Sequence, residues 1–164
     1  MVTSYVALGA NLGDPVATVR AAIDALRAVD GTRFLSASSL YRTAPVGLHH
    51  QPDFINAAAA LEILAPGLTA AALLDELFAI EAAFGRVRSV RNAPRTLDLD
   101  LLLFGTERRA DPRLTLPHPR MTERAFVLAP LAEIAPELCI PGRGPVTDLL
   151  AGVAGQRIER LPCS

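Results

Sequence analysis

An α+β sandwich, with helices laid over a mostly antiparallel sheet, is the fold this sequence predicts. Three observations carry the prediction. Short apolar runs and stretches of helical period alternate irregularly, turn residues link neighbouring strand segments, and 51% of the 164 residues are apolar. A chain of this size buries about 70% of its unfolded surface. No repeat, low-complexity tract or linker divides it, so residues 1–164 are read as a single domain.

The elements follow in order. Residues 4–8 form a short apolar strand that runs into Gly9-Ala10-Asn11-Leu12-Gly13. Asp14-Pro15 then reads as a helix cap followed by the first helical residue, where proline's missing N–H costs nothing. Val16, Val19, Ile23 and Leu26 make one apolar stripe, and Asp30-Gly31 ends the helix. Residues 34–41 read as a strand, 42–53 as a long Pro/Gly/His loop, and 54–63 as a second, alanine-rich strand. Thr69 caps a helix bearing Leu73, Leu77, Ile80 and Phe84, with Gly85 as its stop. A loop over residues 86–95 enters a strand at 96–104. Gly105-Thr106 then turns the chain back through 107–110. Helices are expected over 122–135, kinked or divided by Pro130, and over 146–151.

Composition excludes several functions. There is no run of about 18 apolar residues to span a membrane and no basic start followed by an apolar stretch to act as a signal, so a cytoplasmic protein is expected. Cys139 and Cys163 lack metal-ligand spacing and read as free thiols. A net charge of −1 gives no general nucleic-acid signature. All 16 Lys/Arg positions are arginine, which rules out a P-loop lysine and Schiff-base chemistry. Phosphate can be held here only by arginine, histidine, backbone N–H groups or metal.

The chemistry concentrates in Pro94-Arg95-Thr96-Leu97-Asp98-Leu99-Asp100-Leu101-Leu102-Leu103-Phe104. Strand alternation sends Asp98 and Asp100 to one face, about 6.5–7 Å apart at Cα, and Leu97, Leu99, Leu101 and Leu103 to the other. Two like charges this close resist joint ionisation unless a divalent ion lies between them. The spacing suits one Mg²⁺, or a pair of ions gripping phosphate oxygens. An isolated Asp-X-Asp also describes an ordinary solvated strand face. The loop beside this one, however, carries Arg86, Arg88, Arg91 and Arg95 with no acid among them. Guanidinium forks next to metal-binding carboxylates suit phosphoryl transfer.

A second cationic cluster, Thr115-Leu116-Pro117-His118-Pro119-Arg120 with Arg124 and Phe126, holds His118 between two prolines. His49 and His50 are assigned no role. Asn56, a lone amide in an apolar strand, can read the donor and acceptor edge of a heterocycle, and Phe54 on its face can stack on a flat ring. These residues leave other readings open: another Mg²⁺-dependent phosphoryl or nucleotidyl transferase, a nuclease, or a non-catalytic nucleotide- or RNA-binding module.

Six segments, in order, narrow the choice. They are Leu8-Gly9-Ala10-Asn11-Leu12-Gly13, Ser39-Leu40-Tyr41-Arg42-Thr43, Gln51-Pro52-Asp53-Phe54-Ile55-Asn56-Ala57, Gly85-Arg86-Val87-Arg88, Pro94-Arg95-Thr96-Leu97-Asp98-Leu99-Asp100 and Leu116-Pro117-His118-Pro119. Together they resemble the 6-hydroxymethyl-7,8-dihydropterin pyrophosphokinases of folate biosynthesis, from Tyr5 to about Pro141. The resemblance implies a three-layer α/β/α, ferredoxin-like fold. It implies an enzyme that moves a pyrophosphoryl group from ATP to the pterin hydroxymethyl oxygen, releasing AMP. Asp98 and Asp100 would hold two Mg²⁺. Arg86, Arg88, Arg95, His118 and Arg124 would contact ATP, with Arg86 and Arg95 catalytic, and Glu81 and Thr115 would help seat the nucleotide. Thr43, Val46, Phe54, Asn56 and Phe126 would form the pterin pocket, and a monomer is implied. The chain departs from the family pattern in having no Trp in the 86–95 loop, and in Ala44 and Phe54 where Pro and Tyr are frequent.

Overall fold

A computed structural model of the chain describes residues 1–44, 52–85 and 97–162. The first strand, β1 (Val2–Ala10), alternates strictly, with Ser4, Val6, Leu8 and Ala10 buried. Helix α1 (Pro15–Arg27) starts as the sequence predicts: the Asp14 carboxylate accepts a hydrogen bond from the Ala17 N–H at 3.1 Å, and Pro15 is the first helical residue. Strand β4 (Phe54–Ile63) has the predicted limits. Helix α2 (Ala70–Ala83) is capped by Thr69, whose hydroxyl accepts from the Ala72 N–H, and Gly85 beyond its end takes φ +80°.

Other boundaries move, for physical reasons. The strand expected at 34–41 is two: β2 (Thr32–Ala37) and β3 (Tyr41–Thr43), the latter reaching into the expected loop. Both pair with β4, and the gap between them is bridged at Ser38. The Ser38 N–H donates to the Ala58 carbonyl at 2.8 Å, and the Ala58 N–H donates to the Ser38 hydroxyl at 2.9 Å. One side chain thus supplies the acceptor that a continuous strand would have provided from its backbone.

Strand β5 (Asp98–Phe104) follows. The short β6 (Arg109–Ala110) pairs with β7 (Thr115–Leu116) as a separate hairpin. The helix expected over 122–135 is interrupted at Arg124, whose backbone is extended, between a 3-10 turn (Met121–Glu123) and α3 (Ala125–Ile134). Pro130 sits inside α3 without ending it. Two further short strands, β8 (Cys139–Ile140) and β9 (Gly144–Pro145), pair with each other; then come α4 (Val146–Ala151), with the predicted limits, and β10 (Glu159–Arg160).

The main sheet has the order β10-β3-β4-β1-β5, with β2 also on β4, and every pairing in it is antiparallel. The path β1-α1-β2/β3-β4-α2-β5 is the ferredoxin-like split βαβ arrangement. One face, with Val6, Leu8, Ala57, Ala59, Leu61, Leu99 and Leu101, packs on α1 and α2. The other face takes α3 and α4: Met121, Val127, Leu128, Leu131 and Val146 gather there with Leu102, Leu103, Tyr5 and Ala7. Those are the three predicted layers. Among the described residues no helix is long and apolar enough to cross a membrane.

Leu103 departs from the predicted pattern. Val6 pairs with Leu101 but Tyr5 with Leu103, so β5 carries one extra residue at that point. The bulge restarts the alternation and turns Leu103 to the aspartate side, where it packs under α3. The face bearing Asp98 and Asp100 is therefore polar at one end and apolar at the other. Replacing Ser38 with Ala strands the buried Ala58 N–H, so Ser38→Ala is expected to lower stability by about 1–3 kcal/mol, measurable by chemical denaturation.

Candidate functional site

The candidate site lies on the α3 side of the sheet, at the end of β5 that carries Asp98 and Asp100. Strand register places Tyr41 (β3), Asn56 (β4), Gly9 (β1) and Asp98 (β5) in one cross-strand row, all on the same face. The flanking rows hold Thr43 with Phe54, and Ala58, Ala7 and Asp100. Asn56 and Asp98 stand two strand spacings apart, about 10 Å. The only residue between them in the row is glycine. A Cβ at Gly9 would come within 3.1 Å of the Asn56 carbonyl oxygen. The missing side chain keeps the amide in place and leaves bare backbone as the floor.

Asn56 is buried (5% exposed) and its Nδ2 donates to the hydroxyl of Thr43, also buried, at 2.8 Å. That bond fixes which end of the amide is which. The second N–H and the carbonyl oxygen are left to form a paired donor–acceptor edge. Phe54 is half-buried beside it. Asn11, 1% exposed, ties the end of β1 to the entry of β4 by donating to the Pro52 carbonyl at 3.1 Å.

Asp98 and Asp100 are half-buried, whereas Leu97, Leu99 and Leu101 are fully buried on the opposite face. Among the described residues β5 is the edge of the sheet, and two side elements hold its outer backbone. Glu81 of α2, 2% exposed, accepts the Leu99 N–H at 2.7 Å, between the two aspartates in sequence. The His118 N–H donates to the Leu102 carbonyl at 3.0 Å. Hard carboxylate oxygens on one face beside glycine and alanine suit Mg²⁺. Among the described residues no group of three or more His, Cys, Asp or Glu forms a metal cluster. Mg²⁺ commonly completes its shell with phosphate oxygens and water.

His118 follows a cis Leu116–Pro117 bond. Burial first, and then the charges of Arg124 and Arg120, pull its pKa down to about 4, against the opposing pull of Asp98. Its Nδ1 accepts the Arg120 N–H at 3.3 Å, which leaves Nε2 as the protonated, donating nitrogen of a neutral ring. The Arg124 guanidinium lies 5.4 Å from the Phe126 ring centroid, at the start of α3. Thr115 stands in the β6–β7 hairpin, its hydroxyl making a long 3.4 Å bond to the Asp111 carbonyl.

The sequence predicts that Asp98 shares a face with Asp100 and Phe54 with Asn56; the register bears out both and joins the two pairs with Thr43 on one face, while the electrostatics of His118 tie it to Asp98 and Arg124. Val46, Arg86, Arg88, Arg91 and Arg95 lie outside the described residues. Sequence reasoning missed Gly9 and Asn11 as positioning residues. Their only signal was the Gly-Ala-Asn run after an apolar strand.

Paired carboxylates, a neutral histidine and an arginine on the side of the sheet that also holds the buried Asn56 amide have the chemistry of a phosphoryl-transfer site. The chain belongs to the 7,8-dihydro-6-hydroxymethylpterin-pyrophosphokinase (HPPK) family, whose model matches residues 5–136. It is 48% identical over 158 residues to the 2-amino-4-hydroxy-6-hydroxymethyldihydropteridine pyrophosphokinase of Pseudomonas aeruginosa, covering 96% of each chain. It is 43% identical over 161 residues to the protein of that name from Haemophilus influenzae, covering 98% of this chain and 99% of the other. A solved Plasmodium falciparum HPPK-DHPS structure shares the fold, with TM-score 0.73 at 13% identity. This chain is covered over 94% of its length and spans 46% of that longer one.

With its pKa depressed, His118 is expected to stay neutral until the pH falls well below 6.5. A ring C–H NMR titration checks this, and a midpoint near the ordinary histidine value would contradict it.

Proposed function

We propose that this chain transfers the pyrophosphoryl group of ATP to the hydroxymethyl oxygen of 6-hydroxymethyl-7,8-dihydropterin, with the cross-strand row from Asn56 to Asp98 as the substrate floor. That row carries the reading: a heterocycle-reading amide and a metal-suited carboxylate pair lie on one face, separated only by glycine. The gap of about 10 Å is on the scale of a fused two-ring heterocycle with a one-carbon arm.

In this reading Asn56 grips the pterin edge, Phe54 and Phe126 stack on its faces, and Thr43 holds the Asn56 amide in orientation. Val46 completes the pocket. The hydroxymethyl oxygen then points toward β5. It bonds to the β-phosphorus as the bond from that phosphorus to the α,β-bridging oxygen breaks. AMP leaves and the hydroxyl proton is released. Asp98 and Asp100 would hold two Mg²⁺, which supply charge neutralisation of the triphosphate and polarisation of the transferred group. Arg86, Arg88, Arg95 and Arg124 bind phosphate oxygens as forks, and His118 donates Nε2–H to one. Arg86 and Arg95 stabilise the charge that develops on the moving group. Glu81 seats the nucleotide through the strand, holding Leu99 so that both aspartates keep their aim. Thr115 helps seat the nucleotide from the hairpin.

Incubation with ATP, Mg²⁺ and the hydroxymethyl pterin is expected to yield AMP and the pterin pyrophosphate. ADP would instead mark an ordinary kinase. Asp98→Ala is expected to fold normally while kcat falls by about 10²–10³ or more. Near-normal turnover would remove the metal assignment. Gly9→Ala pushes the Asn56 amide aside and is expected to raise the pterin KM about tenfold with little change for ATP. Equal losses for both substrates would mean that the bare floor does not serve pterin.

A further inference from the structure

The last element of the sheet lies beyond the stretch that the family model matches, residues 5–136, yet it borders the pterin-reading pair. Strand β3 is three residues long and carries Thr43, the partner of Asn56. On its inner side β3 pairs with β4. On its outer side it pairs with β10, Arg42 opposite Glu159 and Tyr41 opposite Arg160. The Leu161 N–H extends this by donating to the Leu40 carbonyl at 2.8 Å, and the Leu161 side chain packs against the core.

A second set of bonds crosses to α3 from β3 and from Ser39 just before it. The Tyr41 hydroxyl donates to Glu133 at 2.6 Å. The Ser39 N–H reaches both oxygens of the same carboxylate, at 2.9 and 3.1 Å, and the Ser39 hydroxyl donates to it at 3.1 Å. Arg160 of β10 completes the cluster, with Nε donating to the Ser39 hydroxyl at 3.1 Å and a terminal nitrogen 3.6 Å from Glu133. Burial works against a charge on Glu133, but the bonds from Tyr41 and Ser39 and the charge of Arg160 bring its pKa below the ordinary carboxylate value. The carboxylate is thus held as an anion, bonded on both oxygens.

We propose that Glu133 and Arg160, acting with strand β10, form a clamp on β3 that positions Thr43 against Asn56 and so sets the enzyme's grip on the pterin. The inference rests on the reading of Asn56 as the pterin-binding amide. Tyr41 lies in the same row as Asn56, one pleat from Thr43. A shift of β3 along or away from β4 would therefore carry the Thr43 hydroxyl off the amide. The amide would then lose the bond that fixes its orientation while remaining in its strand. Glu133 and Arg160 are positioning residues: they act through β3 and touch neither substrate.

The test uses the full chain and the steady-state constants for both substrates in Glu133→Ala, Glu133→Gln, Arg160→Ala and Asn56→Ala. Both Glu133→Ala and Arg160→Ala are expected to raise the pterin KM by roughly five- to tenfold while the ATP KM stays within about twofold. Glu133→Gln keeps an acceptor oxygen and is expected to recover part of the loss. Arg160 is largely exposed, so its variant remains informative if removal of Glu133 compromises folding. Selective pterin loss in Asn56→Ala, with an unchanged or substrate-indifferent response in Arg160→Ala, overturns the clamp alone. An unselective Asn56→Ala overturns the reading of the pterin pocket and the clamp with it.

Discussion

The bond between the Leu99 N–H and Glu81 is the constraint on which the site geometry turns. Among the described residues β5 is an edge strand, and an edge strand has a row of backbone donors and acceptors without a sheet partner. Here those groups are met from the side: Glu81 takes the donor at Leu99, and the chain at His118 gives a donor to the acceptor at Leu102. An edge left to water would fray and twist, and carboxylates mounted on it would wander. Fastened on one side to β1 and on the other to α2, the strand can carry Asp98 and Asp100 as fixed points. A buried carboxylate is a costly fastener, since its charge needs bonded partners at every turn. Removing one partner therefore disturbs more than a single bond.

Much of this was written plainly in the sequence. The caps at Asp14 and Thr69, the limits of β4 and α4, and the shared face of Asp98 and Asp100 follow from local rules of period and capping. The rest depends on contacts between distant residues. Nothing local in a run of three leucines says that β5 bulges at Leu102 and sends Leu103 to the opposite face; that follows from how β1 and α3 fit together. Strand β10 is two residues long, too short to show a period. Gly9 stands in the sequence only as part of the run that ends the first strand, yet it leaves room for the Asn56 amide, 47 positions away in the chain. Pro130 does not divide α3, which continues to Ile134 with the proline buried inside it, so the loss of one backbone bond is tolerated there.

Electrostatics and topology cooperate at this end of the sheet. A protonated His118 would join Arg124 and Arg120 as a third positive charge, and burial together with these neighbours prevents it. The ring is left as an uncharged donor beside the two guanidinium groups. The absence of lysine fits the same picture. Every Lys/Arg cation the chain offers is planar, permanently charged and forked, so its charges hold constant while the substrates change.

The four successive alanines of β4, Ala57 to Ala60, are all buried, two toward α1 and α2 and two toward the α3 side. They make the middle of the sheet unusually thin, and the outer layers settle close to its backbone. Such a spine has no slack. A bulkier side chain on the α3 side would act as a wedge, tilting the helix whose first turn carries Phe126 and whose last turn carries Glu133. A change made deep in the interior would be transmitted like a lever to both ends of α3.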